Sequence, residues 1–331
     1  MTIGAFGGYL SEKFPSQINV DATEFCNLSC IHCPYVTITK LKGRNRRNLA
    51  VELHRKLIDE IVAVGKEHCR FIRYTGDGEP LLHPQLPELI ADAVRRTGVQ
   101  TALTTNGMLL TEERVRALLD AGVDVFDVSI DAHSQSVYAE VRVGGELDVT
   151  KECTHRLIDM AKAKSGRRSK IMVSFVRQPL NIHEVDEFER YWKAAGADFV
   201  VLRNRHSCGG NVEEMAETLW KAAPSPRKPC LYPWERMVLK ADGELTYCPA
   251  DWKHIANIGN YANTTISEIW QGEAMRALRA AHVSGDFAKH SFCGNCPDWS
   301  VIQWPSEGRS YATVMHEFED RNKTGQEALV D

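Results

Sequence analysis

Between residues 17 and about 211, short β-rich runs alternate with amphipathic helical stretches. Residues 18–22, 71–75, 101–104, 123–130, 171–176 and 199–202 read as strands, being short and rich in apolar and β-branched positions. Between the first two lies a helical pattern over 53–64, where Leu53, Leu57, Ile58, Ile61 and Val62 recur on one face. Thr111 followed by Glu112 and Glu113 reads as a helix start, a capping hydroxyl with acids in the first turn. Strand and helix in strict alternation predict parallel pairing in an α/β fold. Six units are too few to close an eight-stranded barrel. The expectation is therefore a partial, TIM-like (β/α)6 barrel, with its site in the loops at the C-terminal strand ends.

The pattern changes at Pro224-Ser-Pro226-Arg-Lys-Pro229, where three prolines in six residues break any helix and mark a boundary. Beyond it lie Cys230, Cys248, Cys293 and Cys296, with turn signals at Asp242-Gly243 and Gly294-Asn295. The predicted division is an N-terminal extension (1–16), the barrel (17–212), a small cysteine-bearing domain (213–304) and a polar tail (305–331).

Composition narrows the class. The formal net charge of −4 over 331 residues gives no reason to expect nucleic acid or a membrane surface as partner. No apolar run is long enough to span a bilayer, and the start of the chain lacks the basic and small-residue features of a signal peptide. Ten cysteines in a secreted miniprotein would mean disulfides, but here seven of the ten fall into cluster-like groups. A cytoplasmic metalloprotein is expected.

The first group is Cys26-Asn-Leu-Ser-Cys30-Ile-His-Cys33, directly after the first strand. Four thiolates complete the ligand shell of a [4Fe–4S] cube. Three at this spacing leave one iron for an outside ligand, whereas structural zinc takes four closed ligands. Cys-x3-Cys-x2-Cys in this place resembles the signature of the radical S-adenosylmethionine (SAM) enzymes. That resemblance implies a cluster whose open iron chelates SAM and reductively cleaves it to a 5′-deoxyadenosyl radical. Gly76-Asp77-Gly78-Glu79-Pro80 resembles the family's Gly-Gly-Glu-Pro motif, whose backbone receives the SAM amino group, with Asp77 standing where a glycine is usual. Val128-Ser129-Ile130-Asp131 resembles a strand supplying SAM contacts; Ser129 and Arg142 correspond to the pair that holds the SAM carboxylate. Asn106, with Thr104 and Thr105, ends a cavity-lining strand, and His32 takes the place of an aromatic residue near the adenine. The basic loop from Lys40 to Arg47 has two readings, attraction of a flavodoxin- or ferredoxin-type reductant or acidic substrate, and an ordinary solvated loop.

Cys230, Cys248, Cys293 and Cys296 resemble the shortened SPASM, or twitch, extensions that follow many radical SAM barrels. The resemblance implies one fully ligated auxiliary [4Fe–4S] cluster, making two clusters in all, and a structural zinc site is the alternative. Cys69, Cys153 and Cys208 are left over; Cys208 lies past the last barrel strand, where a thiol can return a hydrogen atom to a substrate radical.

The cysteine spacing is similar to that of radical SAM dehydrogenases acting on aminocyclitols, implying an oxidoreductase that converts a carbinol to a ketone in a small polar substrate. Asp251, His254, Arg203 and Arg205 are candidates to handle the hydroxyl proton. Two alternatives stand beside this. One is modification of a precursor peptide, by epimerisation or crosslinking; Cys26 lies too early for an in-chain leader-recognition domain of roughly 80–90 residues. The other is a non-catalytic iron–sulfur electron carrier or sensor.

Overall fold

A computed structural model describes residues 3–42, 45–166 and 169–305. Its spine is a nine-stranded sheet. Six strands, β1 (Gln17–Val20), β2 (Phe71–Tyr74), β3 (Gln100–Thr105), β4 (Val125–Ser129), β5 (Lys170–Arg177) and β6 (Phe199–Asn204), run parallel in chain order with helices between them. All six fall where the hydrophobic pattern places them, and the α/β partial barrel is the observed architecture.

The pattern also fixes which way each strand faces, because side chains alternate across a sheet. Ile18, Val20, Ile72, Tyr74, Leu103, Phe126, Val128, Ile171, Val173 and Phe175 point outward into the main core beneath the helices. The inward positions form layers. At the bottom Phe71, Ala102, Val125 and Met172, with Tyr9, Phe199 and Val201 against them, make an apolar floor. One layer higher the interior is ionic. Asp127 accepts from Arg73 Nη2 at 3.0 Å, Arg203 Nη2 at 2.6 Å and Ser174 Oγ at 2.8 Å. Burial pushes the Asp127 carboxyl up, but the two guanidinium groups outweigh it and hold it below the ordinary carboxylate range.

Two helix ends repay comparison with the sequence. Thr111 caps the helix Glu112–Ala121, its Oγ1 accepting from Arg114 N. The helix expected over 53–64 runs Val51–Glu60 and then continues as a π-helical turn, Ile61–Gly65. Gly65 lies against the Phe14 ring, where an added Cβ would come within 2.9 Å.

The cysteine-bearing region beyond the prolines extends the barrel sheet. β7 (Arg236–Leu239) pairs in parallel with β1, and β8 (Glu244–Thr246) and β9 (Asn257–Asn260) continue antiparallel, so the order is β6-β5-β4-β3-β2-β1-β7-β8-β9. The expected hairpin before Cys248 is the β7–β8 pair, turning at Asp242-Gly243. Residues of the N-terminal extension tie into this half: Tyr9 Oη donates to Glu235 Oε1 at 3.1 Å, and Leu10 packs with Leu231, Trp234 and Trp304. Gly43, Arg44 and the tail from 306 onward lie outside the described residues. Among the described residues no helix is long and apolar enough to cross a membrane.

Candidate active site

The loop carrying Cys26, Cys30 and Cys33 leaves the end of β1 and is held from the ends of β2, β3, β4 and β5. From β2, Glu79 N donates to Phe25 O at 2.8 Å. From β3, Asn106 Nδ2 donates to Asn27 Oδ1 at 2.8 Å. Beyond β4, Val143 O and Val141 O accept from Ser29 N and Ile31 N, and Arg142 Nη1 donates to Cys30 Sγ at 3.5 Å. From β5, Gln178 Nε2 reaches His32 Nδ1 at 3.4 Å. Tyr35 closes the loop on itself: its hydroxyl accepts from Cys26 N and donates to Cys26 O. Arg46, from the basic loop, donates to that hydroxyl at 2.5 Å and stacks over the Phe25 ring, which gives this cation a local structural role.

The Gly76–Pro80 loop explains its own composition. Gly76 has φ +134°, and a Cβ there would collide with Asp21; a Cβ at Gly78 would lie 2.4 Å from the carbonyls of Thr23 and Phe25. Glu79 is buried, and its carboxylate accepts from Thr105 Oγ1 and Asn106 N, both at 2.7 Å, and from Leu81 N at 3.1 Å. It welds the β2 loop to the end of β3, with Pro80 starting the following 3₁₀ turn. Asp77, the departure from the usual glycine, turns away from this loop and binds Lys240 Nζ at 2.9 Å. Lys240 lies just past β7 and also pairs with Asp21 at 3.0 Å, so the substitution ties the SAM-type motif to the second half of the chain. Burial pushes the Asp21 carboxyl up to about 7, with Asp77 adding to it and Lys240 opposing.

Of the remaining expected contacts, Ser129 Oγ faces Ser174 Oγ at 3.3 Å, and Arg142 pairs with Asp131 at 2.5 Å. His32 Nε2 lies 3.5 Å from the same Asp131 oxygen. Burial draws the His32 pKa down to about 4, Asp131 opposing, so the ring is neutral near pH 7.

Cys230, Cys248, Cys293 and Cys296 meet at a second place. Arg227 donates to Cys293 O at 2.7 Å and Gly294 O at 3.2 Å, Cys230 N donates to His282 Nδ1 at 3.3 Å, and Tyr247 Oη contacts Cys293 Sγ at 3.4 Å. Burial pushes these thiols up, Cys296 to about 12 and Cys26 in the first set to about 11. Thiolates here thus depend on a bound cation. Sulfur spacing tests which one. Tetrahedral zinc with Zn–S near 2.3 Å sets its sulfurs about 3.8 Å apart. Among the described residues no three cysteine sulfurs lie within 4.8 Å of one another, so the thiols are not drawn in to the spacing of a single tetrahedral zinc ion.

A cavity of about 640 Å³ reaches from His32 and the Gly76 loop to the second cysteine set, while Cys26, Cys30 and Cys33 are not among its lining residues. His32, Gly76 and Asp21 line one side, and all four second-set cysteines with Tyr247 line the other. Arg73, Arg203 and Arg205 stand on the wall between them. Cys208 is buried at φ +53°, its thiol pushed up to about 12 by burial, and the neighbouring cavity wall is made by His206 and Val212. Asp251 is committed to capping the turn through Ile255 N and Ala256 N, and His254 pairs with Glu244; neither lines the cavity. The sequence reading passed over Asp21, Asp131, Gln178 and Tyr247. Asp131 belongs to a quoted motif and Asp21 ends a strand, but nothing local distinguishes Gln178 or Tyr247.

Comparison with known proteins agrees with this geometry. The radical SAM superfamily model matches residues 20–166, and that of the iron–sulfur cluster-binding SPASM domain matches 230–297. A probable GTP 3′,8-cyclase of Methanococcus maripaludis is 31% identical over 192 residues, 56% of this chain and 58% of its own length. A tungsten-containing aldehyde ferredoxin oxidoreductase cofactor-modifying protein of Pyrococcus furiosus is 28% identical over 188 residues, 56% of this chain and 50% of its own. The chain thus spans somewhat over half the length of the curated relatives it matches. Among solved structures, BtrN in complex with AdoMet and 2-DOIA superposes with a TM-score of 0.60 at 18% identity, covering 90% of this chain and 98% of BtrN. Streptococcus suis SuiB bound to precursor peptide SuiA gives 0.63 at 15% identity, covering 92% of this chain and 73% of SuiB. These likenesses establish the fold. The chain carries a radical SAM domain over residues 20–166 followed by an iron–sulfur cluster-binding SPASM domain over residues 230–297, and these domains indicate S-adenosylmethionine and [4Fe–4S] clusters as cofactors.

Proposed function

We propose that this enzyme oxidises a carbinol carbon of a small polar metabolite, such as an amino sugar or aminocyclitol, to a ketone. The observation that supports this reading is a cavity lined by all four cysteines of the second set and, on its other side, by His32 of the first cysteine loop and by Gly76. Its volume of about 640 Å³ is that of a small-molecule site. In this assignment Cys26, Cys30 and Cys33 hold the SAM cluster and Cys230, Cys248, Cys293 and Cys296 the auxiliary one. When bound, SAM with its cluster supplies a hydrogen-abstracting radical and the auxiliary cluster an electron acceptor.

The chain's own residues do the rest. Gly76 would leave backbone open to the SAM amino group, Ser129 and Arg142 would hold its carboxylate, and neutral His32 would lie beside the adenine. Asp21 is the proton acceptor: it lines the cavity, and with its pKa raised to about 7 its carboxylate takes up a hydroxyl proton near neutrality. Lys240 holds Asp21 in place and keeps its charge, because Asp21 and Asp77 together outweigh the effect of burial. Arg203 and Arg205 line the cavity and orient the substrate through their fixed guanidinium donors. A flavodoxin- or ferredoxin-type protein is the reductant.

The test is anaerobic incubation of the reconstituted enzyme with SAM, dithionite and a panel of amino sugars and aminocyclitols deuterated at each carbinol carbon. Deuterium in 5′-deoxyadenosine together with a ketone product is expected. Deuterium transfer without ketone would overturn the oxidation, and silence across the panel with turnover of a precursor peptide would replace the substrate class.

A further inference from the structure

Arg142 is the side-chain cation that touches a sulfur of the first cysteine set. Its Nη1 donates to Cys30 Sγ at 3.5 Å while Nη2 lies 2.5 Å from Asp131 Oδ2. Cys30, Arg142 and Asp131 are 8%, 7% and 0% exposed, so the three form a buried row: sulfur, guanidinium, carboxylate.

The row is built firmly. Val141 O and Val143 O, on either side of Arg142, accept from Ile31 N and Ser29 N, on either side of Cys30. The two segments are therefore zipped together with Arg142 opposite Cys30. Asp131 adopts φ +64°, a left-handed conformation that only a few non-glycine residues tolerate. Its other oxygen accepts from Val176 N at 2.6 Å and its carbonyl from Asn181 Nδ2 at 2.8 Å, so the carboxylate cannot swing away.

We infer that the Arg142–Asp131 pair sets the reduction potential of the cluster held by Cys26, Cys30 and Cys33, Arg142 raising it and Asp131 limiting the rise. Reduction adds negative charge that spreads onto the sulfurs, and potentials of such clusters respond to hydrogen bonds at sulfur and to nearby charge. A cationic N–H donor favours the reduced form more than the oxidised one, and burial strengthens the effect. Asp131, one guanidinium further away, offsets part of the positive charge. This role is separate from the SAM carboxylate contact proposed for Arg142, and it holds whatever the substrate is. It rests on the three cysteines being the SAM cluster's ligands.

The experiment is potentiometric electron paramagnetic resonance on the reconstituted full chain, comparing wild type with Arg142→Gln, Arg142→Lys and Asp131→Asn. The cluster whose reduced signal changes on adding SAM is the one at Cys26, Cys30 and Cys33; absence of any SAM-sensitive signal in wild type would overturn that assignment and the inference with it. Arg142→Gln should shift this midpoint to lower potential and leave the auxiliary midpoint unmoved. Arg142→Lys should restore part of the loss, and Asp131→Asn should shift the midpoint the opposite way, upward. If Arg142→Gln weakens SAM binding but leaves the SAM-free midpoint at the wild-type value, the inference is wrong. If that variant takes up no cluster, Asp131→Asn decides: an unmoved or lowered midpoint overturns it.

Discussion

Glu79→Gln isolates one bond in the joint between β2 and β3. Glu79 Oε1 accepts from Thr105 Oγ1 and Leu81 N, and Oε2 accepts only from Asn106 N, at 2.7 Å. Glutamine keeps its carbonyl for the first two. Its amide nitrogen then faces the Asn106 N–H, donor against donor, in a site 3% exposed. The lost charge-assisted bond and the stranded donor each cost roughly 1–3 kcal/mol, so the change should destabilise the fold by about 3 kcal/mol. Burial outweighs the three donors and holds the Glu79 carboxyl above the ordinary carboxylate range, but among the described residues only donors face it, so the hydrogen-bond geometry is that of an acceptor carboxylate. For a chain of this size roughly 2–4 °C per kcal/mol predicts a melting temperature lower by about 6–12 °C at a fixed scan rate. Differential scanning calorimetry of the anaerobic protein measures it. A Glu79→Gln melt within about 2 °C of wild type would mean that this carboxylate is protonated in the native protein and that the joint does not rest on a charge-assisted bond.

Gly78→Ala should displace the strand end that leads to Cys26, because its Cβ would meet two fixed backbone oxygens; iron analysis should show loss of the SAM cluster with the auxiliary cluster retained. Asp21→Asn tests the raised carboxyl by linkage. In wild type the native state holds this proton up to about pH 7 whereas the unfolded chain releases it near 3.8, so its contribution to stability is full at acid pH and is lost as pH rises through that window. The difference between variant and wild type in urea midpoints should therefore follow a slope of about 1.4 kcal/mol per pH unit between pH 5 and 7; a flat difference would return Asp21 to an ordinary ionised salt-bridge partner.

The barrel was legible because its strands are written twice, in outward apolar residues that recur at period two and in turn chemistry between them. The first cysteine set was legible from its spacing, and the second from its resemblance to twitch extensions, since its spacing alone leaves zinc open. What stayed hidden are partners brought together by topology. Asp77 reads as an irregular motif until Lys240, 163 residues away, is seen beside it. The ionic layer of Arg73, Asp127 and Arg203 joins three strands, and each residue alone looks like a misplaced charge in an apolar run. Proximity of Tyr247 to Cys293 depends on the β7–β8 hairpin register, which carries no local signal.

The pairing of β7 with β1 has a mechanical consequence. β1 leads into Cys26, β7 turns into the antiparallel β8 that leads to Cys248, and four consecutive residue pairs, Gln17 with Arg236 through Val20 with Leu239, lock β1 and β7 in step. The separation between the two cysteine sites is thus set through a hydrogen-bonded ladder, insensitive to hinge bending at the proline boundary. It can be retuned only by slipping one strand past the other. Each residue of slip moves the centres by about 3.3 Å and turns every side chain to the opposite face, so only steps of about 6.6 Å keep the core intact. A distance with so coarse an adjustment behaves as a constant of the fold, leaving the cavity walls as the part free to vary from one substrate to another.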